Sequence, residues 1–177
     1  MKMTRVVPKI KKRGTSVFER IAVVNRFALD YLRQILADLD DADLAAVQFA
    51  GQNPPAWNLG HLAVVADYGL SLVGGSARSP RAWRAQFGPG SKPSDRREDY
   101  PSKAELQLAV ESGYDALVQA VQNVDADTLA KPHTFPPLLQ LLPTRGDMLT
   151  HLLTTHFAGH LAQISQWRRQ KGLPALF

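Results

Sequence analysis

Five histidines carry most of the chemistry this sequence offers: His61, His133, His151, His156 and His160. His156 and His160 stand four residues apart. On a helix turning about 100° per residue they lie roughly 40° apart, one turn above the other. That spacing can bring two imidazoles onto one metal ion, as in the helix motif of zinc proteases. The residue after His156 is Phe157 rather than glutamate, so the general base of that motif is missing. Taken alone, the pair fits a metal site and fits equally well two histidines lining a groove between helices. His151 falls about 140° from His156 and about 180° from His160, which predicts a surface or interface position apart from them. His133, between Pro132 and Thr134, is expected to be exposed to solvent.

His61 lies in the run Pro55-Ala-Trp-Asn-Leu-Gly-His-Leu-Ala63. Val65 and Tyr68, four and seven residues on, share its helix face, so His61 points inward. A lone inward histidine is ordinarily a hydrogen-bonded core residue, but opposite a histidine pair it becomes a third ligand. Three neutral ring nitrogens plus a water would make an open, catalytic-type metal site. Such ligands suit Zn, Ni, Fe or Co, and ligand type alone does not choose among them. There are no cysteines, which excludes disulfides, zinc–thiolate sites, iron–sulfur clusters and a cysteine nucleophile.

Asn58, three residues before His61, Gln163, three after His160, and Tyr68 are candidates for a second shell around the ligands. Each also has a plain structural reading: a helix-start amide, an exposed or interface polar group, and a core aromatic. No carboxylate stands at helical spacing from the three histidines, since Asp67 lies about 120° from His61. Asp67 and Asp147 could reach the site only through tertiary contact. Arg78, Arg81, Arg84, Arg96 and Arg97 fit a solvated loop, or an anchor for an anionic cosubstrate.

The elements that must position these groups are helical. Ser16-Val-Phe-Glu19 is a capping box opening a helix whose apolar residues Phe18, Ile21, Val24, Ala28, Leu32, Ile35, Leu36 and Leu39 follow the 3.6-residue period. A second helix is predicted from about Ala56 to Val73, after Pro54-Pro55 and before Gly74-Gly75. Residues 76–101 read as a long loop with one short helical turn near Trp83. Ser102-Lys-Ala-Glu105 caps a third helix ending near Val124, and the prolines at 132, 136, 137 and 143 exclude a long helix over 127–143. Thr144-Arg-Gly-Asp147 opens a fourth, predicted to run unbroken to about Lys171 with Gly172 as its cap. No segment alternates like a strand. The fold class is therefore all-α, a four-helix bundle with long connections after the second and third helices.

The length of 177 residues suits one domain, and 45% hydrophobic with 21% charged residues suits a globular one. No stretch reaches the roughly 18 consecutive apolar residues of a membrane span. The net charge of +5 is localised. Residues 1–13 hold six Lys and Arg with no acid, leaving 15 of the 21 cations against 16 acids elsewhere. We expect a basic arm over 1–14 and one helical domain over 15–177. The arm lacks the apolar run of a secretory signal, so a cytoplasmic location is expected. Binding of nucleic acid would rest on the arm alone and is not expected.

The segment Trp57-Asn-Leu-Gly-His61, with Leu153-Thr-Thr-His156-Phe-Ala-Gly-His160-Leu-Ala-Gln163-Ile, resembles the DinB-like superfamily. The ending Arg168-Arg-Gln-Lys-Gly172-Leu-Pro174 is similar to that of its members. The resemblance implies a four-helix bundle with His61, His156 and His160 as the ligands of a divalent ion and no ligand role for His151. It further implies a thiol transferase using a low-molecular-weight thiol, or a metal-dependent hydrolase, acting on a small molecule, in a homodimer. The alternative it leaves open is a noncatalytic, stress-related metal-binding or interaction protein. Pro-Pro-Ala-Trp-Asn-Leu-Gly-His also resembles the opening of the DinB-like domain of ergothioneine-biosynthesis sulfoxide synthases. Those enzymes carry a second, iron-binding catalytic domain with no counterpart in this sequence.

Overall fold

The computed structural model of the protein describes residues 16–176; the basic arm expected over 1–14 lies outside them. Helix α1 spans Val17–Ala37, and its capping box forms as predicted. Ser16 Oγ accepts from the Glu19 N–H at 3.2 Å while the Glu19 carboxylate accepts from the Ser16 N–H at 2.6 Å. Helix α2, Pro55–Leu72, starts on a proline whose missing N–H would have had no partner there. The short α3, Trp83–Phe87, interrupts the long connection near Trp83. Helix α4, Lys103–Gln122, opens on the Ser102–Glu105 box, and α5 is a single short helix, Ala126–Ala130. The fourth long helix is composite: α6, Arg145–His151, a π-helical segment, Leu152–His156, and α7, Phe157–Gln170. Gly172, at φ 85°, turns the chain away after it. Among the described residues there is no β-strand, and no helix is long and apolar enough to cross a membrane.

The long helices form a four-membered ring in which α1 and α2 each pack between α4 and the α6–α7 helix. Pairings along their lengths fix the directions. Gly69 meets Leu117 and Gly113 meets Ala66, so α2 and α4 run parallel. Arg145 reaches the Leu72 carbonyl while His160 meets Asn58 near the start of α2, so the fourth helix runs antiparallel to α2. Parallel α2 and α4 require the intervening connection to return the length of the bundle as a crossover, for which the long connection after the second helix leaves room. That connection covers the outer side of α2 with Trp83, Phe87 and Tyr100, all buried. Roofed on every side, α2 buries fifteen of its eighteen residues, which is why it is apolar around its whole circumference.

The main departure from expectation lies in the fourth helix. An unbroken α-helix was predicted, yet Leu152–His156 winds with the wider π repeat, which inserts one residue and strands carbonyls outside the normal ladder. The core takes those carbonyls up. Asn25 Nδ2 of α1 donates to Leu153 O at 2.9 Å, and the Tyr114 hydroxyl of α4 donates to Leu152 O at 3.5 Å. Thr154 Oγ1 donates to Thr150 O at 2.6 Å, further loosening the local ladder. A second departure is on α1, where Val24, assigned by period to the apolar face, stays exposed beside Val23 and Phe27.

Candidate metal centre

The three predicted ligands converge between α2 and the fourth helix. One nitrogen from each of His61, His156 and His160 lies within 4.8 Å of those of the other two. His61 Nε2 and His156 Nε2 are 3.3 Å apart. Two nitrogens bound to one tetrahedral ion at about 2.0–2.1 Å would be separated by about 3.3–3.4 Å, so this pair already stands at that spacing. The α-helical step from His156 to His160 keeps their ring centroids 4.6 Å apart.

Tethers on the far side of two rings decide which nitrogen faces inward. His61 Nδ1 is 2.7 Å from the Phe87 carbonyl. A carbonyl only accepts, so Nδ1 carries the proton and Nε2 presents its lone pair. His160 Nδ1 donates to Asn58 Oδ1 at 2.7 Å. The Asn58 amide is itself oriented, because its Nδ2 donates to Asn53 O at 3.1 Å and Pro54 O at 3.3 Å. Trp57 stacks on His61 with ring centroids 4.8 Å apart and planes 11° from parallel. His156 differs: its Nδ1 is buried and has no hydrogen-bond partner among the described residues.

Burial keeps the cluster neutral. Desolvation lowers the His61 pKa against the weaker opposing pull of the Phe87 carbonyl. Burial first, then repulsion from His61 and His151, depresses His156 to about 4. Burial and the charges of His156 and His61 depress His160 to about 3. Near neutrality the three rings are therefore uncharged donors, the form a divalent transition ion requires. With the inward lone pairs, the 3.3 Å spacing and the outer tethers, the residues present fit such an ion.

The remaining sequence candidates scatter. Asn58 joins the site through His160. Tyr68 does not; its hydroxyl lies 3.4 Å from His133 Nδ1, one layer further along α2. Gln163 is exposed on α7. Asp67 clamps the crossover, accepting from the Arg78 and Ser79 amides and the Ser79 hydroxyl, and Asp147 caps α6. Two histidine expectations are corrected. His133 is buried at 3% exposure rather than solvent-facing, because the Pro-rich segment folds back over Tyr68 and the Phe135 N–H donates to His133 Nδ1 at 3.1 Å. His151 does not point away from His156. Their ring centroids are 5.5 Å apart, because the π segment rotates residues five apart onto one face. Phe87 has no role in the sequence reading, and Trp57 enters it only as part of the segment that carries the resemblance. The stacking of Trp57 on His61, an i, i+4 aromatic pair, was the one local signal for either.

No curated protein matches the chain. The family match covers residues 26–164, from within α1 to within α7 and across all three histidines. The chain belongs to the DinB superfamily.

Proposed function

We propose that His61, His156 and His160 hold a divalent transition ion and that the site transforms a small electrophile, as a thiol S-transferase or a hydrolase. The observation that carries the reading is the double tether. His61 and His160 are fixed through Nδ1, which aims two Nε2 lone pairs toward His156 before any ion arrives. An ion held by three neutral imidazoles would supply Lewis acidity at an open position, raising the acidity of a water or a low-molecular-weight thiol. Phe87 and Asn58 keep the ring protons on the outer nitrogens, and Trp57 shields one face of His61 from water. The burial of His61, 6% exposed, favours a second reading, in which the ion is held only for stability and no reaction follows.

Elemental analysis of untagged protein beside His156→Ala tests the site. Near-stoichiometric Zn, Ni or Fe in the parent and its loss in the variant are expected; a parent free of metal that binds none when supplied refutes it. Turnover of a model electrophile with added thiol then separates a catalytic ion from one held only for stability. We also propose a homodimer. Val23, Val24 and Phe27 leave an apolar strip exposed on α1, and Val24 and Phe27 continue into a groove of about 540 Å³ between α1 and α7 that Ala28, Ala158 and Ala162 also line. A self-complementary knob and groove of this kind suits a two-fold interface, and light scattering on the purified protein reads its mass directly.

A further inference from the structure

Metal-binding histidines ordinarily donate their outer N–H to a fixed acceptor, which holds the ring in register with the ion. Two of the three here obey the rule, His61 through Phe87 O and His160 through Asn58 Oδ1. His156 breaks it, with Nδ1 buried and unpartnered among the described residues. Something else must keep that ring from turning.

The neighbour in place is His151. Its ring meets that of His156 at a 5.5 Å centroid distance with the planes 78° apart, the edge-to-face arrangement that aromatic quadrupoles favour. His151 is itself anchored. The Thr155 hydroxyl lies 3.5 Å from the His151 carbonyl, to which it donates, leaving its oxygen to accept from His151 Nδ1 at 2.7 Å. Thr155 belongs to the π segment, and only that segment's wide turn brings a residue five positions before His156 onto its face. In an unbroken α-helix the two rings would diverge by about 140°.

We infer that His151 is a positioning residue for His156: its ring packs edge-to-face against the ligand and fixes the orientation that a hydrogen bond fixes in the other two. The inference rests on reading the three histidines as a metal site. It assigns a role to the one histidine of the fourth helix that the ligand pattern leaves unused, and it gives the π segment a purpose at the site.

Co²⁺ is the probe. Its affinity is measured by competition against a chromophoric chelator, and its visible absorption reports the ligand geometry. The parent is compared with His151→Ala and His151→Phe; the side chain is only half-buried, and thermal melts of the metal-free proteins confirm that all three fold. His151→Ala is expected to weaken Co²⁺ by about tenfold, the lower end of losses on removing an outer partner, and to broaden the visible bands. His151→Phe keeps the ring edge without the nitrogens and is expected to restore affinity to within roughly threefold of the parent. An alanine variant with parental affinity and spectrum overturns the inference, and so does a phenylalanine variant as weak as alanine, which would place the effect in the nitrogens. If the parent itself binds no Co²⁺, the metal-site reading falls, and this falls with it.

Discussion

Asn58→Leu is the sharpest probe of how the site is held. Leucine keeps the branched skeleton of the asparagine side chain while deleting the acceptor for His160 Nδ1 at 2.7 Å and the two donations that lock the amide to Asn53 O and Pro54 O. Pro54 O keeps the Asn58 backbone N–H at 3.1 Å, so the groups left bare are His160 Nδ1 and Asn53 O. A buried polar group without a partner costs about 1–3 kcal/mol. Taking a total near 2 kcal/mol, the metal-free variant should melt about 4–8 °C below the parent for a chain of this size. With its acceptor gone, the His160 proton is free to move to Nε2, the nitrogen that should face the ion, and affinity should fall about 10–100-fold. Those two losses separate in one assay. At an ion concentration 100 times the parental Kd, binding adds about 2.7 kcal/mol to parental stability. The same concentration should add only about 0.4–1.4 kcal/mol to the variant. Denaturant titrations with and without metal read all four values. A variant that gains as much from metal as the parent refutes the tether, whatever its own stability.

Acid should destabilise the metal-free protein well before its carboxylates titrate. His156 and His160 are depressed to about 4 and about 3 by burial, so below the ordinary histidine value of 6.5 the unfolded chain binds protons that the folded chain refuses. Stability is then fully present above pH 6.5 and lost as pH falls toward 4, with His156 alone contributing about 3 kcal/mol. Asp38 and Asp41, held below 3.8 mainly by Arg168 and Arg97, act only at the acid end of that window, where His160 also takes up its proton. A flat stability profile between pH 7 and 5 contradicts the burial of the cluster. Gly60→Ala should destabilise although alanine normally favours a helix by about 1 kcal/mol. Its Cβ would come within 2.5 Å of the Phe87 ring, and displacing Phe87 withdraws the carbonyl that holds His61. A loss of about 1–3 kcal/mol together with weakened metal binding is expected, and an unchanged melting temperature would count against the contact.

Much of this site was legible before folding. The capping boxes at Ser16, Ser102 and Thr144 placed three helix starts correctly because they depend on residues three apart. The His156–His160 spacing worked for the same reason, since α7 is regular where it matters. Asn58 could be suspected from its helix phase, although nothing in the sequence says that its oxygen meets His160. What could not be read is tertiary. The π segment is sustained by Asn25 and Tyr114, which lie 128 and 38 residues from the carbonyls they satisfy. Residues five apart diverge by about 140° only on a uniform helix, and the π segment between His151 and His156 breaks that uniformity. His133 was misplaced for a related reason: the prolines that end regular structure also let the loop fold inward over Tyr68.

The π segment also ties the site to helices that contribute no ligand. Its freed carbonyls are held by α1 through Asn25 and by α4 through Tyr114, and the same five residues end in His156. On the proposed reading, occupancy of the site by an ion and those two hydrogen bonds would be thermodynamically linked, and the linkage would run both ways. An ion that steadies His156 should slow amide hydrogen exchange around Asn25 of α1 and Tyr114 of α4, on helices that supply none of the three histidines. Sequence drift at Asn25 or Tyr114 should in turn retune the affinity for metal without touching a single ligand.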